Sequence, residues 1–471
     1  MNKFLSTIFL LLFLNINSQD LKLPSIFGDN MILQQNSSAP VWGWSKKDKD
    51  VTINVSWNDK LYSTKSNSEG KWMINIDTPE YGGPYQFSVS SIKQTVTFKN
   101  VLIGEVWIAS GQSNMEMPLN GFNKEPVFGS LDMIAKSTNS NIRLFTVEKK
   151  TSKNPLENLN GKWLISNPKN TSTFSAVAYS YANYLNDVLG VPLGIINTPW
   201  GGTPAEAWTD EKTLTTNFDK SEIKNHRNLP QHEPSNLFNA MINPLIPYKI
   251  KGVIWYQGEG NVARANNYDK LMNKMIEGWR REWNQDAFSF YFVQLAPFKY
   301  GGNDKPDSAF LREAQLKTML NTVNSGMVVT LDIGSEHTIH PPEKILIGKR
   351  LAYWALAKDY KIEGISFSGP VYKSLDIKGD KVIVNFDYAE RGVTSYNNPI
   401  KDFEIAGSDR IFHSANVRVI RGYGGNRSKL EVSSNKVKEP VAVRYGWKNF
   451  LEGNLYNTQG LPASSFRSDS W

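Results

Sequence analysis

From Val51 to Phe98, apolar and polar residues alternate with a period of two. Val51, Ile53, Val55 and Trp57 fall on one face of an extended segment, Trp72, Ile74 and Ile76 on another, and Tyr85, Phe87 and Val89 on a third. Turn-forming clusters separate them, Asn67-Ser68-Glu69-Gly70 and Gly82-Gly83-Pro84. Short alternating strands with such punctuation predict a small antiparallel sandwich, so residues 19–100 read as an N-terminal β-domain. The period then changes. Runs at Val101–Ala109, Leu193–Asn197, Gly252–Tyr256, Phe288–Leu295 and Met327–Leu331 are apolar and β-rich, which is the pattern of strands covered on both faces. Between them Phe174, Val177, Ala178, Tyr181, Tyr184, Leu185 and Val188 recur at helical spacing, as do Tyr268, Leu271, Met272, Met275, Ile276 and Trp279. Strands alternating with helices predict an α/β domain with a parallel sheet over residues 101–360. Alternation returns at Val382-Ile383-Val384, Val417-Arg418-Val419 and Val441-Ala442-Val443. Residues 361–471 therefore read as a second β-rich region, ending in a loop-rich tail.

The first residues follow neither period. Lys3 precedes an unbroken apolar block, Ile8 to Leu14, and Ser18-Gln19 offers a small residue for cleavage. This pattern predicts a signal peptide over residues 1–18 and export, to the periplasm or beyond, since the block is too short to span a membrane. After cleavage no membrane partner is expected. The 471 residues contain no cysteine, which excludes disulfides, thiolate metal sites and a cysteine nucleophile. A core of this size holds without disulfides. The net charge of +8 is scattered along the chain, not gathered into the stripe that nucleic-acid binding requires.

Chemistry concentrates where the apolar runs end. Gly111-Gln112-Ser113-Asn114-Met115 follows the first of them, and open α/β sheets build their sites at such positions. A serine hydroxyl becomes a nucleophile when a neighbouring base takes its proton, and histidine titrates in the range to do so. Of the five histidines, His340 is the best placed, a short loop beyond the last apolar run and just before Pro341-Pro342. Gly201 and Gly202 can offer backbone N–H groups to a developing oxyanion without obstruction, and the Ser113 N–H and Gln257 amide can complete the set. His337 and His340 invite a metal reading, but the segment is not an HExxH helix and no carboxylate cluster accompanies it. No metal and no other cofactor is expected.

Four segments carry a resemblance. Gly104-Glu105-Val106-Trp107 leading into Gly111–Met115, Gly201-Gly202-Thr203-Pro204-Ala205-Glu206-Ala207-Trp208, Trp255-Tyr256-Gln257-Gly258-Glu259 and Asp332-Ile333-Gly334 followed by Ile339-His340-Pro341 resemble the four blocks of SGNH (GDSL-like) hydrolases. Specifically they resemble the sialate O-acetylesterase family of carbohydrate esterases. The likeness extends to Leu311-Arg312-Glu313-Ala314-Gln315 and to Pro462-Ala463-Ser464-Ser465-Phe466-Arg467. It implies a flavodoxin-like hydrolase domain flanked by β-rich regions. It also implies a Ser113 nucleophile, a His340 base, and an oxyanion hole of the Ser113 N–H, the Gly201-Gly202 loop and Gln257.

The acid departs from the wider pattern. Many SGNH enzymes place an aspartate two or three residues before the histidine, where Thr338 and His337 stand here. Asp332 and Glu336 are the nearest upstream carboxylates. Asp332 closes a strand and is the candidate for the third member, with a capping role for it, or a Ser–His dyad oriented by a backbone carbonyl, as the open alternatives. The expected activity is removal of O-acetyl groups from a sugar through an acetyl-Ser113 intermediate, the substrate being an O-acetylated sugar or glycan. An acetylxylan or other plant-polysaccharide acetylesterase is the alternative of the same fold, and a catalytically silent glycan-binding protein the alternative of another class. A lipase or thioesterase fits less well, because the long connections Asn120–Lys150 and Asp210–Pro234 are polar. Those connections are expected to form the substrate loops. Glu206, Glu259 and Arg312 are expected to be structural.

Overall fold

The computed structural model describes residues 20–225, 227–285, 287–420 and 427–471. The predicted signal peptide lies outside these residues.

One strand organises the molecule. Gln94–Gly111 (β1) alternates in burial over its first half and is buried on both faces over its second. The first half pairs antiparallel with Gly82–Ser91, which pairs in turn with Asp50–Val55. The second half enters a parallel sheet. The predicted boundary at residue 100 falls inside this continuous strand, where its burial pattern changes. Ser37–Trp44 and Lys71–Thr78 form a separate antiparallel pair, and Val51, Ile53, Val55, Trp72, Ile76, Phe87 and Val89 are buried between the layers. Phe27 fastens this layer to the rest, with its ring centroid 4.9 Å from Trp42 and 5.6 Å from Tyr248.

The parallel sheet adds Asn139–Thr146 (β2), Leu193–Pro199 (β3), Gly252–Tyr256 (β4), Ser289–Val293 (β5) and Ser325–Val328 (β6). Their order is β6-β5-β4-β1-β3-β2, with Trp163–Ser166 antiparallel at the β2 edge. The chain thus builds one side of β1 and then the other. Strand order reverses around β1, and in flavodoxin-like sheets such a switch point opens a crevice beyond the strand ends. Register sets that crevice: Gly111 of β1 lies opposite Pro199 of β3 and Tyr256 of β4.

Ala176–Leu189 (α2), Tyr268–Trp283 (α3), Asp307–Asn321 (α4) and Lys344–Lys358 (α5) are the longer helices. Helix α2 starts where the Ser175 side chain accepts from Ala178 N–H and stops at Gly190, φ 69°, a start and stop of ordinary type. Helix α4 escaped the periodicity because its buried face carries Ser308, Arg312, Gln315 and Thr318. The polar side chains do the packing there: Arg312 donates to Ser465 Oγ at 3.1 Å and to the Gly446 carbonyl at 2.9 Å. This fixes the C-terminal β-region, which among the described residues comprises two four-stranded antiparallel sheets and one two-stranded pair, against the hydrolase layer. Tyr372 stacks on Phe466 at 4.5 Å between those sheets.

Candidate active site

The strand ends are laced at one level. Gln112 N–H donates to the Tyr256 carbonyl at 2.9 Å and Trp200 N–H to the Gly111 carbonyl at 3.0 Å. Gly111 has φ +130°, and a Cβ there would stand 2.2 Å from the Tyr256 oxygen. Only glycine allows β1 to turn this tightly against β4. The turn delivers Ser113 as the first residue of a one-turn helix, Ser113–Glu116 (α1). Gln112 props the turn from below, its Oε1 accepting from the Gly258 and Gly260 N–H groups at 3.4 and 3.2 Å.

Ser113 Oγ lies 2.8 Å from His340 Nε2. The other ring nitrogen, Nδ1, is 2.7 Å from Glu125 Oε2. Thr338 completes the arrangement: its hydroxyl donates to Glu125 Oε1, and it accepts the His340 backbone N–H at 3.1 Å. Glu125 and Phe122 are offered by one tight turn, Phe122-Asn123-Lys124-Glu125, closed by backbone bonds of 3.0 and 3.1 Å. Phe122 meets the His340 ring edge-on at 5.3 Å, so a single turn packs and hydrogen-bonds the imidazole. Burial pushes the His340 pKa down, and the Glu125 carboxylate pulls against it, leaving the ring below its ordinary value. Burial pushes Glu125 up, but its bonds to Thr338 and His340 outweigh that and hold it below the usual carboxylate range. At neutral pH the ring is a neutral base beside an ionised carboxylate.

The third member is therefore not Asp332. Both Asp332 oxygens are taken by Arg350, at 2.9 and 2.6 Å, in a nearly buried ion pair behind the strand ends. Glu336 binds Asn303 at 2.9 Å, and exposed His337 pairs with Glu336 at 3.8 Å. Glu125 lies 215 positions from His340, inside the connection read as a substrate loop. No local spacing could have marked it, and its polar turn was the one signal present.

The oxyanion donors also differ from expectation. Gln257 is fully buried, but its Nε2 donates to Asn261 Oδ1 at 2.7 Å and to the Thr203 carbonyl at 3.2 Å, while its Oε1 accepts from Tyr268 at 2.8 Å. It braces the Gly201–Thr203 loop from behind. Gly201 N–H donates to Glu116 Oε2 at 2.7 Å, and Lys149 holds the other Glu116 oxygen at 2.6 Å. Gly201 still has to be small, since a Cβ there would sit 3.2 Å from Ser113 Cβ and 3.3 Å from Glu116 Oε2. The Ser113 and Gly202 N–H groups have no acceptor among the described residues. Beside them Trp200 is half-buried, with the Lys149 ammonium 5.7 Å from its ring. Glu206 is structural, paired with Arg264 at 3.1 Å and with Asn261 at 2.9 Å.

A flavodoxin-like sheet with a serine, a histidine and a carboxylate in hydrogen-bonded sequence beyond its central strands is an SGNH-type ester hydrolase. Comparison with known proteins makes the class specific. Residues 103–357 match the family model "carbohydrate esterase, sialic acid-specific acetylesterase", and the chain belongs to that family. It is a carboxylic ester hydrolase of the carbohydrate O-acetylesterases. It is 27% identical to sialate O-acetylesterase of Mus musculus, over 94% of each chain. It is 28% identical to that of Homo sapiens, over 94% of this chain and 92% of the human one. A solved carbohydrate acetylesterase from Xanthomonas citri is 35% identical, with a TM-score of 0.87 over 96% of this chain and 100% of its own.

Proposed function

We propose that the Ser113–His340–Glu125 array removes acetyl groups from an O-acetylated sugar, an O-acetylated sialic acid in the first instance. Ser113 Oγ attacks the acetyl carbonyl while His340 Nε2 takes its proton, and the imidazolium that forms is held by Glu125 through Nδ1. The oxyanion is met by the Ser113 and Gly202 N–H groups. His340 then passes the proton to the departing sugar hydroxyl, leaving acetyl-Ser113. A water, deprotonated by the same nitrogen, releases acetate and restores the serine. The observation that carries this reading is the 2.8 Å contact of Ser113 Oγ with His340 Nε2, continued at 2.7 Å to Glu125. Trp200 supports the substrate class. It is a half-buried aromatic ring next to the Gly201 loop, a side chain suited to packing against a sugar.

The test is acetate release from 9-O-acetylated sialic acid and from acetylated xylan, with wild type beside Ser113→Ala. Release from the sialic acid, lost in the variant, is expected. Release from xylan alone overturns the substrate, and release by the variant overturns the nucleophile. We also propose that the chain is exported and loses residues 1–18, on the strength of Lys3, the Ile8–Leu14 block and Ser18-Gln19. N-terminal sequencing of the mature protein checks this, and a protein that keeps Met1 refutes it.

A further inference from the structure

Lys344 is fully buried at the first position of α5, four residues after His340. On stability grounds it is a poor choice there. A buried ammonium is costly unless closely paired, and a cation at a helix N-terminus opposes the helix dipole. Its carboxylate neighbours Glu259 and Glu125 act on it at longer range, and burial pushes its pKa down to about 7. The Tyr256 ring lies 5.5 Å from its Nζ.

The hydrogen bond it does make is informative. Lys344 Nζ donates to Asn114 Oδ1, which forces the Asn114 amide to present its Nδ2 in the other direction. That Nδ2 donates to the Ile339 carbonyl at 3.0 Å and to Glu259 Oε1. Asn114 is itself fully buried and follows the nucleophile directly. One amide, with its orientation fixed by one ammonium, therefore ties the turn that carries Ser113 to the peptide that carries His340. These two segments are more than two hundred residues apart in sequence, and Ser113–His340 distance depends on their registration.

We propose that Lys344 is a positioning residue for this esterase, fixing the Ser113 turn against the Ile339–His340 peptide through Asn114 and, in its charged form, setting a buried cation near the imidazole. The proposal rests on Ser113 and His340 being nucleophile and base. The charged groups facing His340 are Glu125, Lys344 and Glu116, and those facing Lys344 are Glu259 and Glu125. A cation near an imidazole disfavours the imidazolium, so Lys344 keeps the base neutral to lower pH.

The test is the pH profile of kcat and kcat/KM for wild type, Lys344→Met, Asn114→Ala and Ser113→Ala, with thermal melts alongside. Lys344→Met is expected to move the acid limb of kcat/KM upward by about half to one unit. It is also expected to lower kcat on the plateau about tenfold, with KM within about twofold. Asn114→Ala removes the tie and keeps the cation, so kcat should fall while the acid limb stays within about 0.2 unit. A melting temperature that drops with kcat and acid limb unchanged in Lys344→Met would make the residue merely structural and overturn the proposal. If Lys344→Met does not fold, Asn114→Ala decides, and an unaltered kcat overturns it. Retained activity in Ser113→Ala would instead refute the nucleophile assignment beneath the proposal, and is read separately.

Discussion

Glu125→Gln removes one negative charge and keeps the shape of the side chain. In the structure Glu125 Oε2 is 2.7 Å from His340 Nδ1, and its side chain is 25% exposed. When Ser113 gives up its proton the imidazole becomes cationic, and its bond to the carboxylate becomes charge-assisted. Such a bond is worth about 1.5–3 kcal/mol, against about 0.5–1.5 for a neutral one. The difference, about 1–2 kcal/mol, converts at 1.36 kcal/mol per decade to a fall in kcat of roughly five- to thirtyfold. The loss of about 10⁴ that follows when the buried triad aspartate of a serine protease is neutralised is larger because the amide there also selects the wrong imidazole tautomer, so five- to thirtyfold is the charge contribution alone. The pH dependence has a definite sign. Glu125 raises the His340 pKa, so its loss lowers that pKa and extends the active, neutral form to lower pH. The acid limb of kcat/KM should therefore move to lower pH while the plateau falls, the direction opposite to that of Lys344→Met. Hydrolysis of an aryl acetate followed between pH 4.5 and 8.5 reads both. A plateau kcat within about threefold of wild type, or an acid limb moving to higher pH, would refute the assignment of Glu125 as the orienting acid.

Two further predictions separate neighbours of the site. Asp332→Asn breaks a nearly buried pair with Arg350, at a cost of about 3–5 kcal/mol. A melting temperature lower by several degrees with little change in kcat is expected, and a kcat loss matching that of Glu125→Gln would return Asp332 to the catalytic array. Gly201→Ala places a Cβ 3.2 Å from that of Ser113, displacing the loop by a few tenths of an ångström. A roughly tenfold drop in kcat/KM is expected with the melt little changed, and an unaltered kcat/KM would mean that the loop does not need this close approach.

The parts of the fold legible in the sequence were those written in a single period. The runs at Leu193–Asn197 and Gly252–Tyr256 are strands because nothing polar interrupts them, and the Tyr268–Trp279 stripe is a helix with that stripe inward. Helix α4 was not legible as a stripe because Arg312 and Gln315 face the core, where their partners come from segments far along the chain. At the site, Ser113 and His340 could be named because motifs fix them at strand ends. Glu125 could not, since its role depends on a turn folding back across the crevice. Gln257 shows the converse: its motif position predicts a donor to the oxyanion, but its amide is consumed by Thr203 and Asn261. A motif identifies a residue type and its place, and the direction of its hydrogen bonds is a property of the packed loop.

The continuity of β1 limits how this protein can be taken apart. Residues 94–111 supply hydrogen-bonded neighbours both to the N-terminal layer and to the middle of the parallel sheet. A fragment beginning near residue 101 would keep Ser113 but lose the first half of its central strand. Such a cut would part Tyr85 from Val101 and Ile32–Gln34 from Leu102–Gly104, so trimming toward a minimal esterase is expected to strip the sheet of its N-terminal pairing. The backbone that ends beside Ser113 is thus a spine shared by both layers.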